Sequence, residues 1–169
     1  MLLTTSNPAL IFDFDKNVDL SNWRVVDDVV MGGRSSGNFL INDEGHAVFS
    51  GDVSLENNGG FSSVRYLFPE KKSVKSYDKI ILKLKGDGKN YQFRIKHKAS
   101  DYQSYIAEFT TNGEWQIIEI PLAEMYPTFR GRKLNMPDFE FEHIEELRFL
   151  IGNKKPQSFE LMIDKIELG

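Results

Sequence analysis

DKIILKLKGDGKNYQFRIKHK, residues 78 to 98, holds two alternating runs around a glycine-rich break, and its reading decides the fold. In the first run Ile80, Leu82 and Leu84 share one face while Lys83 and Lys85 share the other. In the second, Tyr91, Phe93, Ile95 and His97 lie opposite Gln92, Arg94, Lys96 and Lys98. A period of two marks a strand with one buried and one wet face, because successive side chains of an extended chain point to opposite sides. Joined across Gly86-Asp87-Gly88-Lys89-Asn90, the two runs are expected to pair as a hairpin.

The same texture fills the chain. Turn signals at Asp15-Lys16-Asn17, Gly32-Gly33, Asn42-Asp43-Glu44-Gly45, Asn57-Asn58-Gly59-Gly60, Asn112-Gly113 and Gly152-Asn153 separate short runs rich in Phe, Ile, Val, Leu and Tyr. Further strands are expected over 10–15, 37–42, 46–53, 60–68, 105–110, 114–121, 146–151 and 159–168. In the last, Phe159, Leu161 and Ile163 share one parity and Ile166 and Leu168 the other, which predicts a bulge near Asp164 or Lys165. Pro121 ends its strand, 122–125 suits a single helical turn, and 125–138 reads as the one long irregular connection. The sum is an all-β sandwich or barrel, expected to form a single domain over residues 1–169.

Composition narrows the function. With 21 basic and 25 acidic residues the net charge is −4, which argues against a general polyanion-binding surface and so against nucleic acid. The absence of cysteine removes disulfides, thiolate metal sites and Cys nucleophiles, and agrees with a reducing compartment. The first residues carry neither a secretory nor an Arg-rich transit pattern, and no later run approaches the roughly 20 apolar residues of a membrane helix. The expectation is a soluble, cytoplasmic protein without membrane insertion.

Of the groups that carry chemistry, the pair Asp27-Asp28 invites a hydrolase reading. Adjacent residues of an extended segment diverge, however, so a turn-forming or backbone-accepting role outranks catalysis. His46, His97 and His143 have no ligand or triad spacing, and Gly86-x-Gly88 follows a strand without opening a helix, so neither zinc nor a nucleotide is signalled. Asn42-Asp43-Glu44 and Glu56-Asn57-Asn58 offer hard oxygen ligands for calcium but serve equally well as turns. No metal or cofactor is assigned. The distinctive polar set is cationic and aromatic: Arg34, Arg65, Arg94 and Arg130, with Tyr105 and Trp115 as stacking anchors. Forked guanidinium donors beside aromatics suit carboxylates, sugars or a protein surface.

Taken in order, several segments resemble the complex I intermediate-associated protein 30 family. They are Trp23 with Asp28-Val29-Val30-Met31-Gly32-Gly33 and Ser35; Gly51 with Gly59-Gly60-Phe61, Ser63 and Arg65; and Tyr77-Asp78 leading to Lys85-Gly86-Asp87-Gly88 and Tyr91. Trp115 before Ile120-Pro121-Leu122, then Phe129-Arg130-Gly131, then Phe159, Leu161, Ile163 and Ile166 complete the set. The resemblance implies a galactose-binding domain-like jelly-roll β-sandwich of two antiparallel sheets, shared with many carbohydrate-binding modules. It also implies an assembly factor for respiratory complex I, here as a stand-alone, bacterial member without the mitochondrial extension.

The leading expectation is therefore a non-enzymatic binding module. One sheet face and its rim loops would hold a protein partner, a respiratory-complex assembly intermediate, through Arg34, Arg65, Arg94, Tyr105, Trp115 and Arg130. The alternative is oligosaccharide binding on the same face. A third reading, hydrolysis by Asp28 with a second carboxylate, ranks below both. Trp23 is expected as an anchor under the sandwich, and Gly32-Gly33 as a tight passage that delivers Arg34 and Ser35 to a strand edge.

Overall fold

A computed structural model describes residues 8–28, 33–56 and 60–169. Its strands form two antiparallel sheets. The six-stranded sheet runs β3 (Ser36–Ile41), β4 (Ala47–Val53), β13 (Gln157–Leu168), β6 (Lys79–Lys85), β9 (Trp115–Pro121), with β1 (Ala9–Asp13) also on β13. β4 takes the first half of β13 and β1 the second, so one long strand is flanked on one side by two short ones. The seven-stranded sheet runs β11 (Arg132–Lys133), β10 (Tyr126–Phe129), β8 (Ser104–Thr110), β7 (Asn90–Lys96), β12 (His143–Ile151), β5 (Ser62–Ser73), β2 (Trp23–Val25).

The expected faces hold. Ile80, Leu82 and Leu84 of β6 and Phe93 and Ile95 of β7 have no exposed surface, and Tyr91 almost none. They meet across the sandwich in one core with Phe49, Phe149 and Ile163. Burying such a side chain stabilises by about 2 kcal/mol, and the two-residue period makes every inward position of both sheets contribute. The expected bulge is present, as a register shift between Ile163 and Lys165, and the single helical turn is a 3-10 turn at Leu122–Glu124.

The hairpin is not. β6 pairs with β13 and β9, whereas β7 pairs with β12 and β8, so residues 86–89 form an arch that carries the chain from one sheet to the other. Thr111 pins this arch: its hydroxyl accepts the Gly88 N–H at 3.0 Å and donates to the Lys89 carbonyl at 2.8 Å. A Cβ on Gly86 would overlap the Thr111 side chain, so the close approach requires glycine. Asp87 completes the crossing by accepting from the Tyr91 hydroxyl at 2.8 Å and from the Glu160 N–H on the opposite sheet at 2.9 Å.

The connection 125–138 also departs from expectation, because it contains β10 and β11. Phe129 pairs with Arg132, leaving Arg130 and Gly131 as a two-residue turn with φ of 51° and 78°. Positive φ at both central positions is the geometry of a hairpin turn whose twist matches its strands.

Candidate functional site

The described residues at both ends of the Trp23 to Ser35 segment pack into the sandwich. Trp23 is buried in an aromatic cluster, its ring 4.7 Å from Phe39, 5.2 Å from Tyr66 and 5.3 Å from Phe12. Asp28 is fully buried. Its Oδ1 accepts the Ser35 N–H at 2.9 Å, and its Oδ2 accepts the Ser35 hydroxyl, the Gly60 N–H at 2.6 Å and the Phe61 N–H at 3.2 Å. Burial alone would raise this carboxyl, but the donors from Ser35, Gly60 and Phe61 together outweigh it and hold it below the usual carboxylate range. Asp27 turns the other way and accepts the Ser62 hydroxyl and the Gly37 N–H, at 2.8 Å for the latter. The adjacent acids thus tie β3 of one sheet to β5 of the other, and Asp28 has no free oxygen for a substrate. Met31, Gly32 and Gly59 lie outside the described residues.

The calcium candidates resolve partly. Asn42 accepts the Glu44 and His46 N–H groups, each at 3.0 Å, so that stretch works as a turn. Asn57 and Asn58 lie outside the described residues, and among those described no three His, Asp or Glu side chains are grouped to hold a metal ion.

The face that gathers functional groups is the outward side of the seven-stranded sheet. Inward Tyr91, Phe93 and Ile95 force Gln92, Arg94 and Lys96 outward, and the same parity on β12 presents Glu146, Arg148 and Leu150. Registers then align one row across four adjacent strands: Arg24 opposite Arg65, Arg65 opposite Arg148, Arg148 opposite Arg94. At about 4.8 Å between strands the row spans roughly 14 Å. Beneath it Glu146, 2% exposed, lies 3.5 Å from Arg65 and 3.7 Å from Arg148, and Arg148 also donates to the Ser63 hydroxyl at 3.3 Å. Arg94 donates through Nε and Nη2 to Gln92, a neutral partner, at 2.9 and 2.7 Å. Burial, with Arg148 alongside, pushes its pKa down to about 10, so it stays charged at neutral pH.

From Arg94 the sheet opens into a cleft of about 1200 Å³ whose lining includes Gln92, Glu108, Tyr126, Thr128 and Arg130. Tyr126 donates to Glu108 at 3.3 Å, and the Lys133 ammonium sits 5.4 Å from its ring centroid.

Of the expected site residues, Arg65 and Arg94 share this face and Arg130 stands at the rim, its guanidinium 5.1 Å from the Phe129 ring. Arg34 is an exposed partner of Glu56 at 3.5 Å and is not among the residues that line the cleft. Tyr105 is corrected: it points inward, 2% exposed, with its ring 5.3 Å from Phe139, so it is a core residue. Trp115 is corrected as well. It belongs to β9 of the other sheet, 4.6 Å from the His46 ring, and shares no face with Arg65 and Arg94. Arg148 and Glu146 were readable from the alternation in 146–151, whereas Arg24 was not, since 23–25 carries too short a run to announce a strand.

A family model described as complex I intermediate-associated protein 30 matches residues 12–163. The chain belongs to that family. It is 28% identical over 142 residues to the probable complex I intermediate-associated protein 30, mitochondrial, of Caenorhabditis elegans, covering 72% of this chain and 42% of the nematode protein. The chain thus spans about two fifths of that relative. An uncharacterized protein of Schizosaccharomyces pombe is 26% identical over 179 residues, covering 93% and 82% of the two chains. Among solved structures, the family 11 carbohydrate-binding module of the Clostridium thermocellum cellulase Lic26A-Cel5E superposes with a TM-score of 0.74 at 19% identity, covering 98% of this chain and 95% of that one. The same module in complex with a mixed-linked tetrasaccharide gives 0.71, covering 97% and 96%. The fold of this complex I intermediate-associated protein 30 family member is therefore the galactose-binding-like jelly roll. No helix among its described residues is long and apolar enough to cross a membrane.

Proposed function

We propose that this chain is a non-enzymatic binding module of the complex I assembly-factor type. It holds a protein partner, an assembly intermediate of a respiratory complex, on the outward face of the seven-stranded sheet with the Arg130 turn as rim. The family match over residues 12–163 carries the reading. The cleft and its arginines support it, because forked donors on a rigid sheet suit charge-assisted contacts with a protein surface. Affinity purification from the native host at low detergent tests it. A partner retained at stoichiometric yield is the expected result, and repeated recovery of the monomer alone overturns it.

Carbohydrate binding on the same face is the second reading, favoured by the likeness to a module solved with a tetrasaccharide. Against it, of the aromatics that line the cleft Tyr91 and Phe109 are buried and Tyr126 is already engaged by Lys133 and Glu108, which leaves the half-buried Phe61. Calorimetric titration with mixed-linked and other common oligosaccharides decides: heat of binding supports it, and none across the set removes it.

A further inference from the structure

The arginine row asks for more than it receives inside the protein. Four guanidinium groups cross β2, β5, β12 and β7 in register, and the buried carboxylate within ion-pair distance of the row, Glu146, is shared by Arg65 and Arg148. Arg65 Nε is buried without a hydrogen-bond partner. Arg24 is exposed at the open end of the row, and Arg94 meets only the neutral Gln92 among the described hydrogen bonds. Like charges on neighbouring strands repel, so the arrangement costs stability unless something anionic completes it. The surplus is local, since the chain as a whole carries −4.

We infer that the Arg24-Arg65-Arg148-Arg94 row is a docking strip for an extended acidic peptide segment of the partner, whose Asp or Glu carboxylates take the free guanidinium donors. The inference rests on the protein-partner reading above and names the chemistry of that partner. Charge complementarity selects the occupant. The row offers donors almost alone, which suits carboxylates, whereas a neutral sugar needs donors and acceptors interleaved. Length agrees: four or five extended residues cover roughly 14 to 17 Å, the width of the row. Alternate side chains of such a segment face the sheet, so acids at every second position, about 6.8 Å apart, set two or three carboxylates along the row of four guanidiniums. The cleft beyond Arg94 then receives the residues that continue the segment.

A fluorescent peptide alternating glutamate with serine, titrated with the full chain and followed by anisotropy, tests this. Its controls are the same peptide with glutamine for glutamate and an oligogalacturonate of matching charge. Expected are binding of the glutamate peptide alone and weakening on going from low salt to about 0.15 M. Arg94→Gln and the exposed Arg24→Gln should each weaken it by about tenfold, with unchanged melting temperature for Arg24→Gln. Equal binding of the glutamate and glutamine peptides overturns the inference. So does wild-type affinity in both variants, or capture of the oligogalacturonate without the peptide. Purification from the host separates the two levels. A native partner held equally well by wild type and Arg24→Gln/Arg94→Gln removes the docking strip and leaves the protein-partner reading standing. Arginine-dependent peptide binding with no native partner supports the strip and removes the reading.

Discussion

The backbone of Gly33 lies against the carboxylate of Asp28, so close that a β-carbon at Gly33 would overlap Asp28 Cγ and Oδ1. The contact explains the glycine by space. The carboxylate cannot retreat, because Ser35, Gly60 and Phe61 fix it from three sides. Gly33→Ala is expected to cost about 2 kcal/mol by overpacking. Thermal melting should show a drop of roughly 4 to 8 °C.

Asp28 also sets an acid limb. Its folded pKa is depressed relative to the unfolded chain, so its stabilising contribution is fully present above the unfolded value of about 3.9 and is lost as pH falls through the folded value. Asp28→Asn keeps the shape but removes the charge and one acceptor, leaving donors unsatisfied. Urea unfolding at neutral pH should show a loss of about 2 to 3 kcal/mol, and the difference from wild type should shrink as pH falls below 4.

The two tryptophans separate anchor from surface. Trp23 is buried among Phe12, Phe39 and Tyr66, and Trp23→Ala is expected to cost about 3 to 5 kcal/mol. Trp115 is 38% exposed on the far sheet, and Trp115→Ala should cost less than about 1 kcal/mol and leave partner capture unchanged. Denaturant midpoints measure the first contrast and co-purification the second.

Periodicity makes faces legible and leaves partners open. Ile80, Leu82 and Leu84 declare an inward face, as do Tyr91, Phe93 and Ile95, but the pattern is the same whether the strands lie side by side or face to face. What distinguishes the two is the pairing with strands distant in sequence, β6 with β13 and β9 and β7 with β12 and β8, while the Thr111 hydroxyl holds Gly88 and Lys89 in the crossing. The site suffered likewise. Arg65 and Arg94 were readable as outward residues, whereas their alignment with Arg24 and Arg148 depends on registers between strands far apart in the chain. Tyr105 misled because a tyrosine reads equally as a wet aromatic and as core, and only the inward parity of β8 settles it.

Thr111→Val tests the arch. The substitution keeps volume but leaves the Gly88 N–H and the Lys89 carbonyl without the hydroxyl. A loss of about 1 to 2 kcal/mol is expected, with faster amide hydrogen exchange confined to residues 86–89. An unchanged exchange profile there would show that the hydroxyl does not hold the crossing.

Arg130 offers the opposite experiment. At φ 51° it holds a left-handed conformation that costs a side chain of this kind roughly 1 kcal/mol and that asparagine tolerates. An Asn-Gly pair is also the preferred sequence for a two-residue hairpin turn, and Gly131 is already in place. Arg130→Asn is therefore expected to raise the melting temperature by about 2 to 4 °C while removing the guanidinium from the cleft rim. If the rim contributes to partner capture, the stabilised variant will bind less well. Stability and binding moving in opposite directions mark a residue kept in a costly conformation for its contact, and joint improvement would make the turn a matter of folding alone.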